Sequence, residues 1–208
     1  MDRTRFVLGI AALALTATFT ACSQGSSPVS PSADSPSAQL QPQAAVNQDL
    51  AAVRQATAAF HDVDTAIAAG YGDPAEVPCV ASPDGTMGHH AANPALTGNQ
   101  ALIATQPEVL LYIKSGNGFR LTGVEYVQAV LFRNTNVTPN TVGPLFGAAV
   151  PAGWVVVNPA PSLFGQTFQG PMPGHEPGMP WHYDLHVWLW APNPSGMFAQ
   201  WNPSLSCS

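Results

Sequence analysis

The stretch His175-Glu176-Pro177-Gly178-Met179-Pro180-Trp181-His182-Tyr183-Asp184-Leu185-His186-Val187-Trp188-Leu189-Trp190 decides how this chain is read. Tyr, Val, Leu and Trp dominate its second half, and a loop punctuated by Pro and Gly precedes them. A β-strand is predicted over residues 181–190. Side chains alternate faces along a strand. Trp181, Tyr183, Leu185, Val187 and Leu189 then make one apolar face, while His182, Asp184 and His186 share the other with Trp188 and Trp190. A polar trio on a strand that is apolar on both faces must be hydrogen-bonded, ligated or exposed. Left bare it costs roughly several kcal/mol. The strand therefore marks a site.

Upstream, further strands are predicted over Glu108 to Ile113, Phe119 to Phe132 and Trp154 to Val157. Ser115-Gly116-Asn117-Gly118 reads as a hairpin turn, since Gly and Asn accept positive φ. Along the second strand, Leu121, Gly123, Glu125 and Val127 share a face opposite Thr122, Val124, Tyr126 and Gln128. The connections are rich in Pro and hold no crossover helix, so the sheet is expected to be antiparallel. Tyr71 to Pro107 reads as a long irregular loop carrying Cys79, His89 and His90, with a helical turn over Ala101 to Thr105. One helix opens the domain. Asn47 is its N-cap, Leu50, Val53, Thr57, Phe60 and Ile67 recur at helical spacing, and Gly70 ends it.

The first residues read as a targeting segment. Arg3 and Arg5 precede an apolar run from Phe6 to Phe19, which is short for a membrane span. Phe19-Thr20-Ala21-Cys22 resembles the lipobox of bacterial lipoproteins, although Phe replaces the usual Leu. On that reading residues 1–22 are a signal peptide ending at a lipidated Cys22. The alternative is an ordinary secretory signal with Cys22 incidental. Ser23 to Gln43 is rich in Ser, Pro, Ala and Gln and reads as a disordered tether. Residues 44–208 then form one globular domain. The expected location is the bacterial cell envelope, with the protein held by lipid on the extracytoplasmic side of a membrane. The net charge is −6, and no basic patch exists, which argues against nucleic acid as a partner.

With Cys22 lipidated, Cys79 and Cys207 remain, and an oxidising compartment favours a disulfide between them. Free thiols or metal ligation are the alternatives, and the missing CxxC spacing argues against a zinc knuckle.

Histidine clusters in two windows, His89–His90 and His175–His186. Imidazoles near carboxylates are the material of a transition-metal site, suited to Zn, Fe, Mn or Cu rather than Ca or Mg. Residues two apart on a strand stand ~6.6–6.8 Å apart at Cα. His182 with Asp184, or Asp184 with His186, is therefore the expected ligating pair, and the remaining member orients a ligand. His90, His175 and Glu176 are placed to complete the shell. The H-E-x-x-H protease motif is absent. Glu125 either faces the same pocket as a base or supporting group, with its pKa raised by desolvation, or lies at a solvated edge. The plain alternative is a hydrogen-bonded polar network with no ligand. Metal-free acid–base catalysis is a third reading. His61 is assigned no role. Residues 171–180 read as a rigid rim beside the site, stiffened by Pro. Trp188, Trp190, Phe198 and Trp201 line a pocket mouth or belong to the core.

Met87-Gly88-His89-His90, Pro107-Glu108-Val109-Leu110-Leu111-Tyr112, Gly123-Val124-Glu125-Tyr126 and the run from Gly174 to Gly196 resemble the motifs of an uncharacterised family of secreted bacterial proteins. Those motifs read MGxH, PExLLY, GVEY and GHEPGMPxHYDLHVWLWxxNPSG. The chain departs from them at Ala91, where an aromatic residue is usual, and at His89, where an apolar one is common. The resemblance implies that His90 rather than His89 belongs with the later histidines. It implies no activity.

The expected fold is α+β, with an N-terminal helix packed on an antiparallel sheet, cystatin-like or similarly curved. A small β-sandwich or cupin-like barrel is the alternative. The expected function is binding of a divalent transition metal or small ligand. A metal-dependent enzyme and a structural or partner-binding surface lipoprotein are the alternatives.

Overall fold

The computed structural model describes residues 36–176 and 178–207, with side chains from residue 43 onward. The expected signal peptide, Cys22, the first part of the tether and Pro177 lie outside the described residues.

The chain enters through helix α1 (Pro36–Thr57), which begins inside the stretch read as tether. Pro suits the first helical position, where its missing N–H has no partner to lose, and the Gln and Ala that follow are good helix formers. Asn47, the expected cap, sits mid-helix and accepts from Gln43 Nε2 at 3.1 Å. The expected single helix is broken. Thr57 Oγ1 donates back to the Val53 carbonyl at 2.9 Å, a bond that competes with the helical ladder. A 3-10 turn follows over Ala58–His61, and α2 (Val63–Ala68) starts afresh with Asp62 accepting from Thr65 N at 2.9 Å. Gly70 closes it at φ +94°.

The stretch expected to be an irregular loop contains strands β1 (Cys79–Ser82) and β2 (Gly85–Ala92) and helix α3 (Pro94–Asn99). The helical turn expected over residues 101–105 is replaced by α3, capped by Asn93 with Pro94 behind it. Strands β3 (Val109–Ser115) and β4 (Gly118–Ala129) form the expected hairpin. The strand expected to continue to Phe132 breaks at Val130, and β5 (Leu131–Asn134) turns into a separate three-stranded sheet with β6 (Thr141–Pro144) and β7 (Trp154–Val156). A short pair, β8 (Ser162–Leu163) and β9 (Gln166–Thr167), precedes β10 (Gln169–Met172) and β11 (His182–Val187).

The molecule is mostly β. Its main sheet is a curled antiparallel half-barrel in the order β1-β2-β3-β4-β11-β10. One face carries Leu110, Tyr112, Val124, Tyr126, Tyr183, Leu185 and Val187, and packs with Leu50 and Val53 of α1 and Ala66 of α2. The opposite face carries a smaller apolar cluster of Val109, Leu111, Val127 and Trp188, with Met179 and Leu205 against it. A bulge corrects the expected alternation in β4. Leu111 pairs with Gly123 but Tyr112 pairs with Leu121, so Thr122 is the extra residue. Leu121 therefore joins the large core, and Thr122 Oγ1 donates to the Leu111 carbonyl at 2.9 Å.

Cys79 and Cys207 form a disulfide across a sequence separation of 128. The C-terminal segment has a further anchor that the sequence did not suggest. Thr86 and Asn202 form a β-bridge, and Asn202 is fully buried.

Candidate metal centre

The central pair of strands places the site. In an antiparallel ladder, directly opposed residues point to the same face, with Cα atoms roughly 4.5–5.5 Å apart. His186 is paired with Glu125, Asp184 with Val127 and His182 with Ala129. Glu125 is in turn paired with Val109 of β3, and Ala92 of β2 with Val109. His90 lies two residues before Ala92 and so reaches the same face. His90, Glu125 and His186 therefore come from three strands and converge, each offering a ligand atom within 4.8 Å of the others.

The spacing of His90 and Glu125 suits a shared ion, while the His90 and His186 ring centres, 6.0 Å apart, stand somewhat wider. Two ligand atoms on a tetrahedral ion, each about 2.0–2.1 Å from it, stand roughly 3.3–3.4 Å apart. His90 Nε2 and Glu125 Oε2 are 3.5 Å apart. Asp184 Oδ2 lies 3.9 Å from His186 Nδ1, beyond a hydrogen bond. It flanks the ring nitrogen without bonding it. The neighbours that matter are thus across strands rather than along one. Opposed residues are closer than residues two apart on a single strand, and this ladder could not be read before the register was known.

The group is buried and short of partners. Glu125, Asp184, His182 and His186 are at most 2% exposed. Among the described residues, both ring nitrogens of His90 and His186, both oxygens of Asp184, Glu125 Oε1 and His182 Nε2 have no hydrogen-bond partner. A closed polar network would have left few such atoms.

Burial sets the ionisation of these groups. Desolvation lowers His90 to about 4, helped by the nearby His175, and lowers His182 to about 4. His186 is driven well below its ordinary value, by burial first and then by the other imidazoles. These rings stay neutral near pH 7, the form that ligates. Glu125 is pushed well above its ordinary value by burial, then by Asp184 and Glu108. Burial also raises Asp184 to about 7.

Glu108 belongs to this electrostatic set, although the sequence reading gave it no role. It is buried and raised to about 7 by desolvation, and its Oε2 accepts from Val127 N at 3.4 Å where β3 no longer pairs with β4. The signal available was a carboxylate in an otherwise apolar strand start.

The remaining expected residues are dispersed around the group. His175 is exposed on the loop before β11, with its ring centre 6.2 Å from that of His90 and 5.2 Å from that of His182. Glu176 is half-buried on that loop and does not join the group of three. His89 points to the other face, bonded through Nδ1 to the Val77 carbonyl at 2.8 Å and packed edge-on against Phe119. Trp188 stacks on His186 and donates to the Ala199 carbonyl at 2.7 Å. Trp190 leaves the site face after β11 ends and packs on His61 instead. Comparison with protein families, with curated proteins and with solved structures finds no match.

Proposed function

We propose that this chain is an extracytoplasmic, membrane-tethered lipoprotein that binds a divalent transition metal through His90, Glu125 and His186. The observation that carries the reading is the convergence of two imidazoles and one carboxylate within 4.8 Å, from three strands of one sheet. The unpartnered atoms of these buried side chains support it over the polar network. Two His and one carboxylate are a donor set for Zn²⁺ or Fe²⁺, with Mn²⁺ and Cu²⁺ as further occupants. The fold reading that goes with it is α+β, with α1 backing the sheet.

A metal-dependent enzyme is the second reading. Three protein ligands leave a coordination position open, which is the pattern of catalytic rather than structural zinc. The tether is proposed from the lipobox resemblance and from the Cys79–Cys207 bond, which fits an oxidising compartment. No helix among the described residues is long and apolar enough to cross a membrane.

Elemental analysis of protein purified without chelator tests the centre. Near-stoichiometric metal is expected in the wild type, and little in His90→Ala or His186→Ala. Equal content in all three rejects it. For the tether, Cys22→Ser is expected to move the protein from the membrane to the soluble fraction.

A further inference from the structure

Four histidines stand outside the group of three, two of them beside it, and one of those two is prepared as a ligand. His182 is fully buried, and its Nδ1 lies 3.2 Å from the Pro180 carbonyl. A proton on Nδ1 satisfies that carbonyl and leaves the lone pair on Nε2. Nε2 is buried with no partner among the described residues. A backbone carbonyl holding the far nitrogen is the usual way a metal-bound imidazole is fixed in tautomer and orientation.

The ring facing it is His175. An ion about 2.0–2.1 Å from an imidazole nitrogen lies roughly 3.2 Å from the ring centre, so two imidazoles on one tetrahedral ion hold their centres roughly 5.2 Å apart. The centres of His175 and His182 are 5.2 Å apart. We infer a second cation position between His175 and His182, taking an imidazole-preferring divalent ion such as Zn²⁺ or Cu²⁺, with water completing its shell. It goes beyond the centre proposed above and does not use that centre's ligands. The two positions lie along one row of rings, His186, His90, His175 and His182, whose successive centres are 6.0, 6.2 and 5.2 Å apart.

Calorimetric titration of the metal-free full chain with Zn²⁺ tests this. Two equivalents are expected in the wild type. One is expected in His175→Ala and in His182→Asn, and one in Glu125→Gln. His175 is exposed, so its substitution reads the site without threatening the fold. A single equivalent that His175→Ala and His182→Asn leave unchanged, and Glu125→Gln removes, overturns the second position and leaves the first standing. A single equivalent that Glu125→Gln removes and His175→Ala only weakens also overturns it, since His175 is then a fourth ligand of the first ion. A single equivalent lost in His175→Ala and His182→Asn but kept in Glu125→Gln supports the second position and rejects the first. No binding in the wild type rejects both.

Discussion

Glu125→Gln should make the metal-free protein more stable relative to wild type as pH rises, while abolishing metal binding at the group of three. The wild-type carboxyl is buried beside Asp184 and Glu108, so its folded pKa stands well above the ordinary 4.5. An acid raised in the folded state contributes stability below its unfolded pKa. That contribution is lost as pH climbs from the unfolded to the folded value. Each pH unit in that window removes about 1.4 kcal/mol from wild type. The glutamine has no such slope. Within that window the variant therefore gains on wild type by up to about 1.4 kcal/mol for each pH unit. For a domain of this size each such unit is roughly 3–6 °C in midpoint temperature.

The slope is the decisive quantity, because the buried amide adds a penalty that does not vary with pH. Burial raises Asp184 as well, and Gln at position 125 leaves that burial in place, so the slope it contributes is common to both proteins. Urea unfolding of both proteins in chelator, from pH 5 to pH 8, measures it. Repetition with Zn²⁺ at 100 times its Kd should restore about 2.7 kcal/mol to wild type at this centre and nothing there to the variant. Parallel stability curves across the pH range would refute the argument, since they would mean that Glu125 titrates like an exposed carboxylate.

Other outcomes follow from the scaffold. Cys79→Ser opens a crosslink spanning 128 residues of sequence, and a loss of about 4–5 kcal/mol in denaturant unfolding is expected. Gly88→Ala places a Cβ 2.4 Å from the Tyr112 carbonyl oxygen at φ +99°, where neither backbone can yield cheaply. It should cost about 2–4 kcal/mol by urea titration and weaken metal binding, since His90 is two residues away.

What the sequence disclosed follows from how strong each local signal is. The β3–β4 hairpin was legible because Gly116 and Asn117 specify a turn between β-branched and aromatic residues. The face shared by His182, Asp184 and His186 was legible because a strand has a period of two. Strand β2 was not, because Gly85-Thr86-Met87-Gly88-His89-His90-Ala91-Ala92 has Thr86 as its one strong β-former and owes its conformation to pairing with β1 and β3. That pairing carries His90 into the site, so the centre could be named as a set of residues but not assembled. The bulge at Thr122 left no mark in composition, and it reversed the face of Leu121. The helix break did leave one: Asp62 ahead of Val63-Asp64-Thr65 is a cap, overlooked because the apolar spacing runs on through it.

The same burial that hides the ligands dictates how the centre should respond to acid. In an ordinary histidine site, protons compete for the rings up to about pH 6.5, after which affinity levels off. Here His90 is already lowered to about 4 and His186 is driven well below its ordinary value, so the rings stop competing in mildly acid solution. Glu125 competes instead. Its carboxyl must ionise to ligate, and in the metal-free fold it holds its proton well above pH 4.5. Affinity should therefore go on rising, by up to about tenfold per pH unit, above the range where an ordinary carboxylate has finished ionising, and metal uptake there should release a proton from the neighbouring Glu125 and Asp184 carboxyls. Calorimetric titration of the His175→Ala variant, which isolates this centre, in two buffers of different ionisation enthalpy counts that proton. A flat affinity between pH 5 and pH 8 with no proton released would place the ligating charge elsewhere than on Glu125.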